Sequence, residues 1–279
     1  MQIIYTIAEM RRWRTEHNDL ALVATMGNLH AGHLALVRLA RRHAARVAVS
    51  IFVNPLQFGA NEDFSRYPRT LTHDCELLRE AGADVVFAPE APELFPHPQS
   101  YHVEPPALAD ELCGAFRPGH FRGVATIVMK LFNIVQPRVA LFGQKDYQQL
   151  AIIRGMVADL NVPVTIVAGA TVRAADGLAL SSRNGFLSAP ERAEAPRLYQ
   201  TLSSICDRLA AGERDFTALE LAASATLAVH GWRVDYIAIR SPALTLPEPG
   251  ETRFVVLGAA HLGSTRLIDN IEAGGAETL

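Results

Sequence analysis

The sequence predicts an α/β protein: a Rossmann-like, doubly wound parallel sheet followed by a smaller C-terminal α+β domain. Three observations carry that expectation. Short runs of branched and apolar residues alternate with helical patterns up to about residue 170, which is how successive βαβ units read. Those runs are apolar at nearly every position, as parallel strands covered on both faces are. Beyond residue 180 the order changes to helices first and strands later, the layout of a separate α+β unit.

Each element has its own signal. Residues 6–17 place Ile7, Met10 and Trp13 at helical spacing. Residues 20–23 (Leu-Ala-Leu-Val) form a buried strand, and Leu34, Leu36, Val37, Leu39 and Ala40 then recur with helical period, predicting a helix to about Arg46. Residues 47–53 are a second apolar strand, closed by Asn54-Pro55. A helix over 71–81 ends at Gly82, and a strand follows at 84–87. Prolines between 89 and 106 exclude regular helix there; residues 101–104 read as extended and 107–112 as a brief helix. After a glycine-bearing loop at 117–123, residues 124–135 form a helix apolar around most of its circumference, hence buried. Strands at 139–142 and 164–168 flank a helix at 150–160. In the tail, 190–211 and 216–229 read as helices and 234–239, 253–257 and 265–268 as strands. The polar, Asp-Gly-containing stretch 173–184 reads as a hinge. The expected domains are 1–172 and 173–279.

Several function classes are excluded. A net charge of −3 offers no basic footprint for nucleic acid. No apolar run approaches the ~18 residues of a membrane span, and no secretory leader pattern follows Met1. The cysteines Cys75, Cys113 and Cys206 are odd in number and widely spaced, as reduced thiols of a cytoplasmic protein are.

The chemistry-bearing stretch is 24–33, Ala-Thr-Met-Gly-Asn-Leu-His-Ala-Gly-His. It joins the end of a parallel strand to the start of a helix, where open α/β sheets bind ligands and free N–H groups favour phosphate. His30 and His33 are open to three readings: metal ligands lacking a third partner, core histidines, or donors to nucleotide phosphates. Asn54 and Gln57 follow the next strand and fall on the same sheet edge. Lys145 and Asp146 follow a strand end, where a lysine can neutralise phosphate. Ser181, Ser182 and Arg183 offer hydroxyl and guanidinium donors. There is no Walker loop, no Gly-x-Gly-x-x-Gly after the first strand, and no Gly-x-Ser-x-Gly elbow.

The residues 30–33 (His-Ala-Gly-His) resemble the His-x-Gly-His signature of the nucleotidyltransferase superfamily that includes class I aminoacyl-tRNA synthetases. Thr25-Met26-Gly27, Phe52-Val53-Asn54-Pro55 with Gln57-Phe58, Tyr67-Pro68-Arg69-Thr70, Arg117-Pro118-Gly119-His120-Phe121, Phe142-Gly143 with Lys145-Asp146 and Gln148-Gln149, and Ser181-Ser182-Arg183-Asn184 occur in that order. Leu267-Ile268-Asp269-Asn270 is a weaker echo. Together they resemble the pantoate–β-alanine ligase family. That resemblance implies ATP-dependent joining of pantoate to β-alanine through an acyl adenylate, with release of AMP and pyrophosphate. It implies His30, His33 and Lys145 as catalytic residues. ATP would be bound by Met26, Gly27, His30, His33, Gly143, Lys145, Asp146, Val172, Leu180, Ser181, Ser182 and Arg183. Gln57, Gln149, Asn54 and Tyr67 would hold pantoate or β-alanine. Mg²⁺ would be carried by the ATP phosphates, with Asp74 as a candidate protein ligand. A cytoplasmic homodimer is also implied. Ala24 and Ala31 depart from the proline and glutamate usual at those positions. A nucleotidyltransferase that makes no amide, and a non-catalytic nucleotide-binding module, are the competing readings.

Overall fold

The computed structural model describes residues 1–59 and 62–274, which form two compact units. The first comprises 1–144 and 149–170; the second comprises 145–148 and 171 onward.

In the first unit, β1 (Gln2–Ile4) leads to α1 (Ile7–Thr15), β2 (Leu20–Thr25), α2 (Ala31–Ala40) and β3 (Arg46–Ile51). Then come α3 (Leu71–Ala81), β4 (Val85–Phe87), two single-turn helices α4 (Ala91–Leu94) and α5 (Cys113–Phe116), and α6 (His120–Val135). The unit closes with β5 (Val139–Gly143), α7 (Tyr147–Asp159), whose first two residues group with the second unit, and β6 (Thr165–Gly169). Every strand pairing is parallel, in the order β1-β4-β3-β2-β5-β6. Without the edge strand β1, this is the Rossmann order, and the direction of winding reverses between β2 and β5. Alternate residues of β2 serve opposite faces. Leu20 and Leu22 share a core with the apolar residues of α6 and with Met10 and Trp13 of α1. Ala21 and Val23 share another with Val37 and Ala40 of α2 and Leu78 of α3. Burial on both sides leaves β2 and β3 apolar except at Thr25, Arg46 and Ser50, which is why they are readable from sequence.

In the second unit, α8 (Ala189–Glu194), α9 (Arg197–Ala210) and α10 (Phe216–Val229) precede β7 (Trp232–Arg240), β8 (Phe254–Leu262) and β9 (Thr265–Ala273). The three strands form an antiparallel sheet in sequence order. Leu198, Leu202, Leu219 and Leu227 of the helices share a core with Ile239, Val256 and Leu267 of the sheet. Gly258 lets the helices approach, because a Cβ there would stand 3.0 Å from Leu198 and 3.2 Å from Leu202.

The fold class is as the sequence predicts; several boundaries differ, for identifiable reasons. The helix after the histidines stops at Ala40 rather than near Arg46, because Arg46 must pair with Leu20 in the sheet. Asp19 Oδ2 accepts the Ala45 N–H at 2.8 Å and fixes that return. The expected strand 47–53 ends at Ile51. The single helix expected over 190–211 is broken between Glu194 and Arg197, where Pro196 removes an N–H donor. Residues 120–123, expected in a loop, are the first turn of α6. β8 and β9 each run nine residues, well beyond their expected ends, by pairing with each other throughout.

Candidate active site

The turn after β2 is held in an uncommon backbone conformation. Gly27 and Asn28 both have positive φ, +81° and +51°. A Cβ at Gly27 would stand 3.1 Å from both Ile51 Cγ2 and Asp74 Oδ2, so only glycine suits it. The turn brings the chain to His30, which caps α2. The Gly32 N–H donates to His30 Nδ1 at 3.1 Å, and the His30 N–H donates to His33 Nδ1 at 3.3 Å. This is a reciprocal capping box with imidazoles in place of the usual hydroxyl and carboxylate. Its chemical consequence is a fixed tautomer. With Nδ1 accepting, each neutral ring carries its proton on Nε2. The two rings lie 4.1 Å apart, tilted by 42°.

The neighbouring strand β3 delivers a second group. Asn54 is 1% exposed. Its Oδ1 accepts from Leu56 N–H at 3.2 Å, and its Nδ2 donates to Gln57 Oε1 at 3.0 Å and to the Gly123 carbonyl at 3.2 Å. Gln57 Nε2 in turn contacts Met26 Sδ at 3.0 Å. Met26 and Gln57, expected to serve ATP and pantoate respectively, are therefore side by side. The Gln57 carbonyl accepts from His120 Nδ1 at 2.8 Å, while Arg117 Nη1 stands 3.0 Å from His120 Nε2. Arg117 is forked onto Glu62 at 2.8 and 2.6 Å. Donation from Arg117 to Nε2 leaves the His120 proton on Nδ1, pointing at Gln57, so the chain Glu62–Arg117–His120 pins the Gln57 backbone. Sequence reasoning assigns these three residues no role. The motif Arg-Pro-Gly-His is visible in the chain, but the joint target of its arginine and histidine is not. Tyr67 is buried against Phe58, ring to ring at 6.0 Å. Gln149 lies half-buried in α7.

Gly143 ends β5, beside β2, at the position where winding reverses. A Cβ there would meet nothing within 4 Å.

The second unit holds the remaining candidates. Lys145 Nζ stands 3.9 Å from Asp146 Oδ1, with the lysine side chain 18% exposed. The Lys145 carbonyl accepts from Asn270 Nδ2 at 2.7 Å. Leu180 N–H donates to the Val172 carbonyl at 2.9 Å, so those two expected residues are brought together. Ser181 Oγ accepts from the Arg183 N–H at 3.2 Å and starts the 3₁₀ turn Ser182–Phe186.

The candidate metal ligand, Asp74, is fully buried on α3 and accepts from Asn28 N–H at 2.9 Å, Leu29 N–H at 2.8 Å and Thr70 Oγ1 at 3.1 Å. Among the described residues, no group of three or more His, Cys, Asp or Glu side chains could hold a metal ion. Nor is any helix among them long and apolar enough to cross a membrane.

A doubly wound sheet with a histidine-capped helix at the carboxyl end of the strand beside its winding reversal defines an α/β protein of the nucleotide-handling class. Comparison with known proteins narrows that class. The model of the family described as pantoate-beta-alanine ligase matches residues 2–272. The pantothenate synthetase of Chromobacterium violaceum is 62% identical over 274 residues, 98% of this chain and 99% of the relative. That of Thiobacillus denitrificans is 57% identical, covering 99% of this chain and 98% of its own. Among solved structures, pantothenate synthetase from Thermus thermophilus superposes with a TM-score of 0.93 at 45% identity, covering 99% of this chain and 100% of that one. Pantoate-beta-alanine ligase from Francisella tularensis, complexed with beta-gamma ATP and beta-alanine, gives 0.79 at 32% identity, covering 97% of each chain. The chain belongs to the pantoate–β-alanine ligase family and is an amide-forming ligase.

Proposed function

We propose that the protein condenses pantoate with β-alanine in two half-reactions driven by ATP. In the first, a pantoate carboxylate oxygen attacks the α-phosphorus in line. The bond from that phosphorus to the bridging oxygen breaks, and pyrophosphate leaves. In the second, the neutral amine of β-alanine attacks the acyl carbon. The bond from that carbon to the phosphate oxygen breaks, AMP leaves, and the amine proton passes to solvent. Neither step needs a protein nucleophile, so positioning and charge stabilisation supply the acceleration.

The observation that carries this reading is the pair of backbone-capped histidines. With Nδ1 of His30 and His33 engaged by the backbone, each Nε2–H can serve phosphate oxygens that gain charge in the first step. Lys145 supplies a compact positive charge. Met26, Gly27, Gly143, Asp146, Val172, Leu180, Ser181, Ser182 and Arg183 bind the remainder of ATP. Gln57 and Gln149, with Asn54 and Tyr67, bind pantoate or β-alanine. ATP enters as its Mg²⁺ complex, with the ion on the phosphates; Asp74 already accepts from three donors, so no step is routed through a protein-held metal. A nucleotide- and pantoate-binding domain over 1–172, a lid domain over 173–279, a homodimer and a cytoplasmic setting belong to the same reading and are supported by the family resemblance.

The test is AMP release with pantoate and Mg·ATP present, followed as β-alanine is added. Stoichiometric AMP and pantothenate are expected, dependent on both acids. AMP formed without β-alanine incorporation would point to a different nucleotidyl transfer, and ATP binding without pyrophosphate release to a non-catalytic module.

A further inference from the structure

We propose that Asp74 is a positioning residue that sets the histidine pair by holding the turn before it. The proposal rests on the function given above. Gly27 and Asn28 are consecutive residues with positive φ; glycine takes this conformation freely, whereas Asn28, which has a Cβ, is held in it at a cost that outside contacts offset. The carboxylate of Asp74 supplies it from 46 residues away. Oδ2 accepts the Asn28 N–H and Oδ1 the Leu29 N–H, at 2.9 and 2.8 Å. Thr70 Oγ1 adds a third donor to Oδ2 at 3.1 Å.

The carboxylate sits in the first turn of α3, where the helix dipole favours negative charge. It is completely buried, so every lone pair it spends is spent inside the fold. A buried carboxylate with such partners is a rigid fixture, because losing either N–H contact would leave charge unpaired. Leu29 immediately precedes His30, so fixing the Leu29 N–H fixes the direction in which the chain enters α2. It also removes the Asn28 and Leu29 N–H groups from the set that could bind phosphate. The same geometry disfavours Asp74 as a metal ligand, since its oxygens already point at backbone donors.

Asp74→Asn keeps the shape and loses one acceptor. Amide hydrogen exchange of Asn28 and Leu29 should be slow in the parent protein and at least about tenfold faster in Asp74→Asn, as loss of a charge-assisted bond implies. Equal protection in both overturns the anchor, whatever the activity. Turnover should fall about tenfold or more in Asp74→Asn, with the Mg²⁺ concentration for half-maximal activity unchanged, in keeping with the size of a charged hydrogen bond. A strong shift in that concentration would make Asp74 a metal ligand and overturn the proposal. In a His30→Ala background, the same substitution should cost less than about twofold, since residues that act as a unit are not additive. Fully multiplicative losses would mean a general structural role and overturn it. Thr70→Val is the milder variant, expected to move exchange and turnover in the same directions should Asp74→Asn not fold; no change in either would count against the proposal. A parent protein that releases no AMP, or a fully active His30→Ala variant, would instead overturn the functional reading and the catalytic part of this one.

Discussion

The carboxamide of Asn270 donates a 2.7 Å hydrogen bond to the main-chain carbonyl of Lys145. The two residues are 125 positions apart, yet this contact fixes where the lysine begins. Asn270 is itself fixed. Its N–H donates to Asp269 Oδ1 at 2.8 Å, and its carbonyl accepts from Arg173 at 3.2 Å. Asn270→Ala should lower turnover about five- to tenfold, in line with the ~1 kcal/mol of one neutral hydrogen bond. Steady-state kinetics and a thermal melt check it together. Turnover within about twofold of the parent would show that Lys145 does not depend on this contact.

The adjacent ion pair carries stability. Arg173 forks onto Asp269 at 2.6 and 2.9 Å and lies 4.1 Å over the Tyr199 ring. The Asp269 side chain is 2% exposed. Breaking one side of such a buried pair typically costs ~3–5 kcal/mol. Asp269→Ala should therefore lower the unfolding free energy obtained from urea titration by that amount. A loss below ~1 kcal/mol would place the pair among solvent-screened bridges.

Gly123 allows α6 to close on the loop that carries Asn54 and Gln57. A Cβ there would lie 2.1 Å from the Leu56 carbonyl oxygen and 2.7 Å from the Gln57 nitrogen, both backbone atoms. Gly123→Ala must push that loop away. The expected result is a KM for pantoate raised at least about tenfold, with ~1–3 kcal/mol of lost stability from overpacking. Unchanged KM in a folded variant would remove Gln57 from the pantoate site.

His261 gives a pH signature. Burial lowers its pKa below the ordinary 6.5, and the nearby Asp235 only partly offsets this; Arg233 and Arg266 add to the lowering. A histidine with a depressed pKa binds fewer protons folded than unfolded. Stability is therefore intact above pH 6.5 and falls as pH drops through that value toward the folded pKa. Unfolding free energies measured between about pH 8 and 5 should show that decline, and His261→Gln should flatten it. An equally steep decline in the variant would assign the slope to other groups.

What is legible in the sequence follows from the range of the forces involved. The strands β2, β3 and β5 are buried on both faces, so composition alone announces them. β1 gives no such signal, because it is three residues long with an exposed Gln2, and it pairs with β4, far along the chain. The first turn of α6 is hidden because it follows Gly119 with no side-chain cap to mark a start. Among the candidate residues, His30, His33, Gln57 and Lys145 stand out by local pattern and resemblance. The resemblance also touches Asp74, Arg117, His120 and Asn270, but it does not show which backbone groups they hold. Asp74, His120 with Arg117 behind it, and Asn270 act on backbone groups 45 to 125 residues distant, and such contacts have no local signature.

The most direct test is pantoate-dependent exchange of labelled pyrophosphate into ATP, run with Mg²⁺ and without β-alanine. Exchange is expected in the parent protein, absent when pantoate is omitted, and reduced about a hundredfold or more in Lys145→Ala, whose fold should be intact, as for loss of a group that stabilises transition-state charge. A folded, Mg²⁺-loaded protein that forms pantothenate yet shows no exchange would contradict a reversible adenylate step.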